Sequence, residues 1–281
     1  MSDSRDFQVK FWGVRGSIPS PGPETARYGG NTTCIEVRAG DTVLAIDGGT
    51  GVRNFGESLR QSPSVEVAFL MTHLHWDHVQ GFPFFAPFLN PNNRFRILSA
   101  HHKGGNIHGV LKQLMAQPAF PISMEAFRSD MSFEFLEFGD TLQFGDVTVR
   151  TMLLNHPGDV VGYRFEYDGK VYVHASDWEH PAEGALDGPF VEFMRGADLL
   201  SIDATYTEDE YHGRSGPARV GWGHATHDAC IRHARAANVG HIVLTHHEPA
   251  RSDDELDGLK AGRYAADDDV SFAVERGLIT L

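Results

Sequence analysis

One seven-residue stretch, Thr72–His78, constrains the fold and the chemistry of this chain more than any other segment. It follows residues 65–71, an apolar run that is typical of a buried β-strand. Because side chains alternate along an extended segment, His73 and His75 project to one side while Leu74 projects to the other. The stretch therefore predicts two imidazoles that face a common point at the end of a strand.

The end of the same stretch strengthens this interpretation. The chain must bend after the strand, and the bend brings Asp77 and His78 back over the point that the first two histidines face. A lone histidine is usually a structural residue, but three histidines and an aspartate in six positions are typical of a metal site. The pairing of imidazoles with a carboxylate suits two adjacent borderline metals such as zinc.

Composition limits the class of protein. The chain has 281 residues and 41% hydrophobic residues, which predicts one globular α/β domain spanning 1–281. Cys34 and Cys230 lie far apart in apolar surroundings, so we expect buried thiols rather than a disulfide. Residues 1–6 show no signal-peptide pattern and no window is long enough to cross a membrane, so a cytoplasmic location is expected.

Net charge restricts the binding partners. The formal charge of −14 repels polyanions and argues against a general DNA or RNA binder. It does not exclude a small anionic substrate, because bound metal ions reverse the sign of the local charge.

Further metal-binding side chains follow other predicted strands. His156 comes after the strand at 148–154, Asp177 after the hairpin at 162–174, and His246 after the strand at 241–245, although its neighbour His247 is an equal candidate. The candidate ligand set divides into His73, His75 and His156 for one metal, Asp77, His78 and His246 for the other, and Asp177 as a bridge. Two metals about 3.5–4 Å apart can trap a water or hydroxide and lower its pKa.

These residues resemble the H-x-H-x-D-H signature of the metallo-β-lactamase superfamily, with His156, Asp177 and His246 similar to its remaining ligands. The resemblance covers nearly the whole chain. It implies an αββα sandwich of a single domain with two divalent ions, usually Zn²⁺, with Mn²⁺ or iron as other options.

A narrower resemblance concerns the phosphodiesterase branch, which includes tRNA 3′-processing endonucleases and cyclic-phosphate phosphodiesterases. The motifs that carry it are the segments 203–205, 223–226 and 244–246. The resemblance implies that His224 protonates the leaving oxygen and that Asp203 supports it. It further implies that Asp77 binds metal and orients the attacking water.

Substrate size is indicated by the spacing between ligands. The tRNA-processing enzymes commonly insert a flexible arm between the third histidine and the bridging aspartate. Here only twenty residues separate His156 from Asp177, and they predict a tight hairpin. We therefore expect a small cyclic phosphate, above all a cyclic nucleotide, as substrate, with no long nucleic acid and no membrane as partner. Similar enzymes are often homodimers, so a homodimer is expected.

Three alternatives stay open at this point. The same centre could hydrolyse a lactone or thioester, trim tRNA 3′ ends, or serve as a non-catalytic zinc or di-iron sensor. The sequence assigns no stretch to base recognition, and it leaves His101 and His102 as structural residues or as neighbours of the site. The phenylalanines of the segment 81–89 are interpreted as core residues rather than as a ligand slot.

Overall fold

In a computed structural model, the chain forms two seven-stranded β-sheets with helices on their outer faces. The structure describes residues 6–100, 106–181 and 184–281, so His101 and His102 lie outside the described residues. Among the described residues, no helix has the length and apolarity needed to cross a bilayer.

The described part of the chain contains fourteen strands and seven α-helices. The strands are β1 (Phe7–Gly13), β2 (Cys34–Ala39), β3 (Thr42–Ile46), β4 (Glu66–Leu70), β5 (Arg94–Ser99), β6 (Asp130–Phe135), β7 (Thr141–Phe144), β8 (Val147–Leu154), β9 (Val160–Tyr167), β10 (Lys170–Ala175), β11 (Leu199–Asp203), β12 (His241–Thr245), β13 (Val270–Phe272) and β14 (Leu278–Thr280). The helices are α1 (Val52–Ser58), α2 (Trp76–Val79), α3 (Ile107–Leu114), α4 (Gly188–Met194), α5 (Glu208–Tyr211), α6 (His227–Ala236) and α7 (Asp253–Ala261).

Each sheet is antiparallel in one half and parallel in the other. The first has the order β14-β1-β2-β3-β4-β5-β6 and becomes parallel from β3 onward. The second has the order β13-β12-β11-β10-β9-β8-β7 and is parallel from β10 to β13. Parallel neighbours require long crossover connections, and these connections carry the helices to the outer faces.

The main core lies between the two sheets, as the alternation of side chains in β4 illustrates. Ala68 and Leu70 face the second sheet, whereas Phe69 faces the outer helices α1 and α3. A third apolar cluster packs α4, α6 and α7 against the outer face of the second sheet. The predicted αββα sandwich is therefore confirmed, while the assignment of all of 1–281 to one domain stays a prediction.

The phenylalanines after the histidine stretch are core residues with one exception. Phe82, Phe85 and Phe88 are buried in the outer cluster of the first sheet, but Phe84 is 61% exposed and contacts Phe120. The segment consists of short 3₁₀ turns, in which side chains three positions apart lie on one face. Phe84 falls outside that period of three, so it points to solvent.

The topology gathers strand ends at one edge of the sandwich. Ala175 of β10 pairs with Ile202 of β11, and Asp203 pairs with Thr245 of β12, so three parallel strands end side by side. The end of β4 reaches this edge through Tyr163, whose hydroxyl donates to the backbone carbonyl of Met71 at 2.6 Å. The loops that follow these strands therefore meet at the seam between the sheets.

Candidate metal centre

The first predicted ligand group converges in the structure. His73, His75, His156 and Asp177 each offer a ligand atom, and these atoms all lie within 4.8 Å of one another. His156 Nε2 is 3.2 Å from His75 Nδ1, a nitrogen–nitrogen approach that a shared cation between the rings would explain.

The second predicted group lies directly beside the first. Asp77, His78 and His246 also place one ligand atom each within 4.8 Å of the others. Asp77 Oδ2 lies 3.3 Å from both His78 Nε2 and His246 Nε2. All three residues are buried, so this group is shielded from bulk water.

Asp177 stands between the two groups and divides its oxygens between them. Its Oδ2 is 3.4 Å from His73 Nε2 and 3.8 Å from His156 Nε2. Its Oδ1 is 3.4 Å from His78 Nε2 and 3.2 Å from His246 Nε2. A carboxylate with one oxygen toward each group has the geometry of a bridging ligand.

The donor set fits two divalent cations. His73 Nε2 and His78 Nε2 are buried, and no group in the described residues forms a hydrogen bond of good geometry with either, which is costly for a polar atom unless another group binds it. In two of the proposed ligands the other ring nitrogen, Nδ1, has a partner. His78 Nδ1 lies 2.7 Å from Asp47 Oδ2, and His156 Nδ1 lies 2.7 Å from the Gly223 carbonyl. Such outward hydrogen bonds fix the tautomer that leaves Nε2 free to bind a metal.

Burial sets the protonation of the first group. Burial lowers the pKa of His73 well below 6.5 and also lowers the pKa of His75 and His156. These imidazoles are therefore neutral near pH 7, which is the form that binds metal. Burial acts in the same direction on His78, but the carboxylates of Asp77 and Asp177 outweigh it and raise its pKa.

Strained backbone surrounds the centre. Ser17, Asp47, Asp177 and His246 all have φ between 51° and 60°, the left-handed region that non-glycine residues seldom adopt. Such strain clusters at functional sites, where the fold holds a side chain in one direction. The turn at Ser17 also directs its backbone N–H to Asp77 Oδ2 at 2.7 Å.

The predicted pair of His224 and Asp203 forms beside the second group. His224 Nδ1 lies 2.6 Å from Asp203 Oδ2, and the His224 ring stacks on His246 with centroids 5.0 Å apart. Burial alone would lower the pKa of His224, but the Asp203 carboxylate outweighs it and raises the pKa to about 9. The imidazole is therefore protonated near pH 7 and can donate a proton.

The structure separates the two neighbouring histidines that the sequence could not rank. His246 lies in the centre, whereas the Nε2 of His247 lies 2.9 Å from the Ala273 carbonyl and its ring packs on Phe272. The strained backbone at His246 turns these adjacent side chains to opposite sides.

Sequence reasoning missed residues that support the ligands. Asp47 accepts hydrogen bonds from Thr72 N at 2.8 Å and from Thr72 Oγ1 at 2.7 Å, in addition to its contact with His78. Thr205 Oγ1 lies 3.1 Å from His246 Nδ1. Asp47 shares a signal with the other site residues, because it directly follows the buried strand β3, but a single carboxylate after a strand is too common to indicate a site residue.

Glu179 is a second unexpected residue, and no sequence signal marks it. Its carboxylate accepts hydrogen bonds from Tyr211 Oη at 2.6 Å, Gly221 N at 2.6 Å and Gly223 N at 2.8 Å. It thereby ties the segment before His224 to the strand end that carries Asp177.

Comparison with known families decides the affiliation of the chain. Residues 42–247 match the model of the beta-lactamase superfamily domain, a span that includes every candidate ligand. The chain belongs to the metallo-β-lactamase superfamily. Within it, the chain falls in the phosphodiesterase and tRNase Z branch that the motifs indicated, and it is a metal-dependent hydrolase.

Curated relatives of this superfamily member carry one name, ribonuclease Z. The protein from Bradyrhizobium sp. (strain ORS 278) is 24% identical over 302 residues, covering 89% of this chain and 92% of the relative. The protein from Haloarcula marismortui is 26% identical over 321 residues, covering 95% of this chain and 94% of the relative.

Solved structures with the same fold belong to proteins with more varied names. The metallo-beta-lactamase fold protein YhfI from Bacillus subtilis aligns with a TM-score of 0.70 at 18% identity, covering 99% of this chain and all of YhfI. A diphosphatase of the PhnP family gives 0.70 at 16% identity and 97% coverage of each chain. The short form of human tRNase Z gives 0.65 at 17% identity, covering 97% of this chain and 98% of that protein. At these identities the likeness shows the fold alone.

Proposed function

We propose that this hydrolase cleaves a small phosphodiester, a cyclic phosphate and above all a cyclic nucleotide. The observation that carries the proposal is the hydrogen bond between His224 and Asp203. The ring of His224 stacks on His246 at the edge of the ligand cluster. A protonated imidazole at this place suits a reaction whose leaving group is an alkoxide that needs a proton.

The proposed ligands are those predicted from the sequence. His73, His75 and His156 would hold one divalent ion, Asp77, His78 and His246 the other, and Asp177 both. The nitrogen and oxygen donors suit Zn²⁺, with Mn²⁺ or iron as further options. Two such ions neutralise charge on a phosphate and lower the pKa of water.

The side chains of the protein then divide the remaining work. Asp203 accepts a hydrogen bond from His224 Nδ1, so the ring holds its other proton at Nε2. As the oxygen of water bonds to phosphorus and the ester bond breaks, that proton passes to the departing oxygen, while the proton that the water loses leaves to bulk solvent, from which His224 is protonated again. A cyclic diester opens to a phosphomonoester with a free hydroxyl. Asp77, fixed by the N–H of Ser17, is proposed to orient the water.

The hairpin between the third histidine and the bridging aspartate supports a small substrate. β9 and β10 are joined by the two-residue turn Asp168-Gly169, whose positive φ values of 47° and 76° are those of a tight hairpin turn. No inserted arm lies between His156 and Asp177, which are both described. The net charge of −14 also works against a large polyanion.

The relatives favour a second candidate, cleavage at the 3′ end of tRNA. Relatives that carry the name ribonuclease Z align along 89–95% of this chain. The expected absence of a long nucleic-acid partner therefore stays a proposal that needs a direct test, as does the expected homodimer.

A substrate panel tests the proposal. We expect zinc-loaded protein to hydrolyse 2′,3′- or 3′,5′-cyclic nucleotides, and we expect His224→Ala to lower kcat about 100- to 10,000-fold, as for loss of a general acid. Zinc content should stay unchanged, because His224 is not among the proposed ligands. Steady-state kinetics and elemental analysis measure the two quantities.

The matched control is His108→Ala. His108 lies on α3 against Phe133, on the outer face of the first sheet, so this substitution should leave kcat unchanged. Loss of zinc in His224→Ala would contradict the assigned role. Turnover of precursor tRNA or of a lactone at a higher kcat/KM than any cyclic nucleotide would replace the proposed substrate by that candidate.

A further inference from the structure

An exposed tryptophan lies next to the candidate acid. Trp222 is 53% exposed, and an indole offers a large flat apolar face of the kind that is enriched at binding surfaces. It precedes Gly223, whose carbonyl binds His156, and it is two positions from His224. Two residues of chain span at most about 7 Å, so the backbone of Trp222 lies within that distance of the backbone of His224.

One face of this indole is occupied by an arginine. The guanidinium carbon of Arg219 lies 4.5 Å from the centroid of the Trp222 ring and 5.9 Å from that of Tyr206. Within the described ranges, no carboxylate lies within 4.0 Å of the Arg219 guanidinium. The cation–π contact therefore orients the indole from one face, while about half of the side chain stays exposed.

The backbone on both sides of Trp222 is fixed to a single buried group. Gly221 N and Gly223 N donate to the two oxygens of Glu179, at 2.6 and 2.8 Å. A side chain whose two neighbours are anchored in this way loses little further entropy when a ligand binds. The platform of Arg219 and Trp222 is thus preorganised relative to His156 and the centre.

We propose that the exposed face of Trp222, backed by Arg219, stacks on the nucleobase next to the scissile phosphate. This subsite rests on the proposed phosphodiesterase activity and gives it a preference for nucleotides over simple phosphodiesters. Every base has a flat π-face, so stacking on an indole tolerates different bases. The base belongs either to a mononucleotide or to the nucleotide at the cleavage point of an RNA.

Two chromogenic esters with the same leaving group provide the test. Thymidine 5′-(p-nitrophenyl phosphate) carries a base, and methyl p-nitrophenyl phosphate does not. We expect Trp222→Leu to raise KM for the thymidine ester about 5- to 150-fold, as for loss of one stacking contact. KM for the methyl ester should change less than about twofold, because the metal centre is intact. Arg219→Met should give a smaller increase in the same direction.

Val220→Ser is the matched control, because Val220 is 59% exposed in the same segment and is assigned no contact with the base. An equal effect of Trp222→Leu on both esters, no effect on either, or the same effect in Val220→Ser would overturn the platform. A wild-type protein that hydrolyses neither ester would refute the phosphodiesterase itself, and the subsite with it. Wild type and Trp222→Leu are then compared on 2′,3′-cyclic AMP and on precursor tRNA. The substrate whose kcat/KM falls more in the variant is the source of the stacked base.

Discussion

At the scale of single residues, Asp47 shows how a buried carboxylate can direct a ligand that it does not join. It lies 2.7 Å from His78 Nδ1 and accepts two hydrogen bonds from Thr72. It is fully buried, and its φ of 60° aims the carboxylate at the ring. The nitrogen of His78 that faces the cluster is thereby held as a metal-binding atom.

We expect Asp47→Ala to weaken zinc binding about 10- to 100-fold, the usual effect of losing a partner behind a metal ligand. Competition with a chromogenic chelator measures the dissociation constant. Asp41→Ala, in the exposed turn between β2 and β3, is the control and should bind zinc as the wild type does. Circular dichroism with excess zinc verifies that the variant is folded. Unchanged affinity in a folded Asp47→Ala protein would mean that the carboxylate has no influence on the ligand.

The residues that could be predicted from the sequence share one signal, which is a metal-binding side chain close to the end of a predicted strand. Each proposed ligand lies within two residues of a strand end or in the compact histidine stretch, so its position and side-chain chemistry indicated it, although they did not separate His246 from His247. The supporting residues depend on contacts across long sequence separations, such as the 31 positions between His78 and Asp47. No local sequence pattern indicates such a contact, and no local pattern marks Glu179 either.

At the scale of elements, the side chain of Glu179 joins the segment between α5 and α6 to the strand end that carries Asp177. Glu179 receives hydrogen bonds from two backbone N–H groups and from Tyr211, all between 2.6 and 2.8 Å. Gly223, one of these donors, then offers its carbonyl to His156. Displacement of this segment would therefore reach both the first ligand group and His224.

We expect Glu179→Gln to lower kcat by 10- to 100-fold, because a glutamine accepts at one oxygen and turns an N–H₂ group toward the donors that remain. Tyr211→Phe removes one donor and should have a smaller effect in the same direction. Glu192→Gln, which breaks an exposed ion pair with Arg195 on α4, is the control and should not change kcat. If Tyr211→Phe lowers kcat more than Glu179→Gln, the carboxylate is not what holds the segment.

Some elements near the site could be predicted from local turn and cap residues, and others could not. The hairpin of β9 and β10 lies where its turn residues indicated, and Thr226 caps the helix α6. No helix was predicted for the residues of α5. A capping box of Thr207 and Glu210 starts it, and that spacing is readable in the sequence, but four residues are too few to show helical periodicity.

At the scale of the whole molecule, the two sheets pack face to face through the main core, and each contributes its own side chains to the centre. The first sheet supplies the histidine stretch after β4, and the second supplies His156, Asp177 and His246. Two hydrogen bonds join the sheets beside the centre, from Val161 N to the Thr72 carbonyl at 2.9 Å and from Tyr163 Oη to the Met71 carbonyl at 2.6 Å, and no local sequence pattern indicated either contact. A cation bound across this seam stabilises the association of the sheets as well as the site.

The same compact packing buries histidines that are not among the proposed ligands, and acid should act on them. His227 is fully buried between Tyr264 and Phe272, and burial lowers its pKa to about 3, with help from the nearby cations Arg251 and Arg263 and from His247. Unfolding exposes the ring and restores its ordinary pKa of 6.5. Between these two values the unfolded chain binds one more proton, so stability falls as the pH falls from about 6.5 toward 3.

We expect His227→Phe to remove this dependence. Between pH 7 and pH 5 the free energy of unfolding of the wild type should fall by about 2 kcal/mol more than that of the variant, since one pKa unit corresponds to about 1.4 kcal/mol. Urea denaturation at both pH values measures the difference, and release of metal in acid affects both proteins alike. His108→Gln, on the outer helix α3, should behave as the wild type does. Parallel pH profiles for wild type and His227→Phe would show that this ring is already charged, or already open to water, in the folded protein.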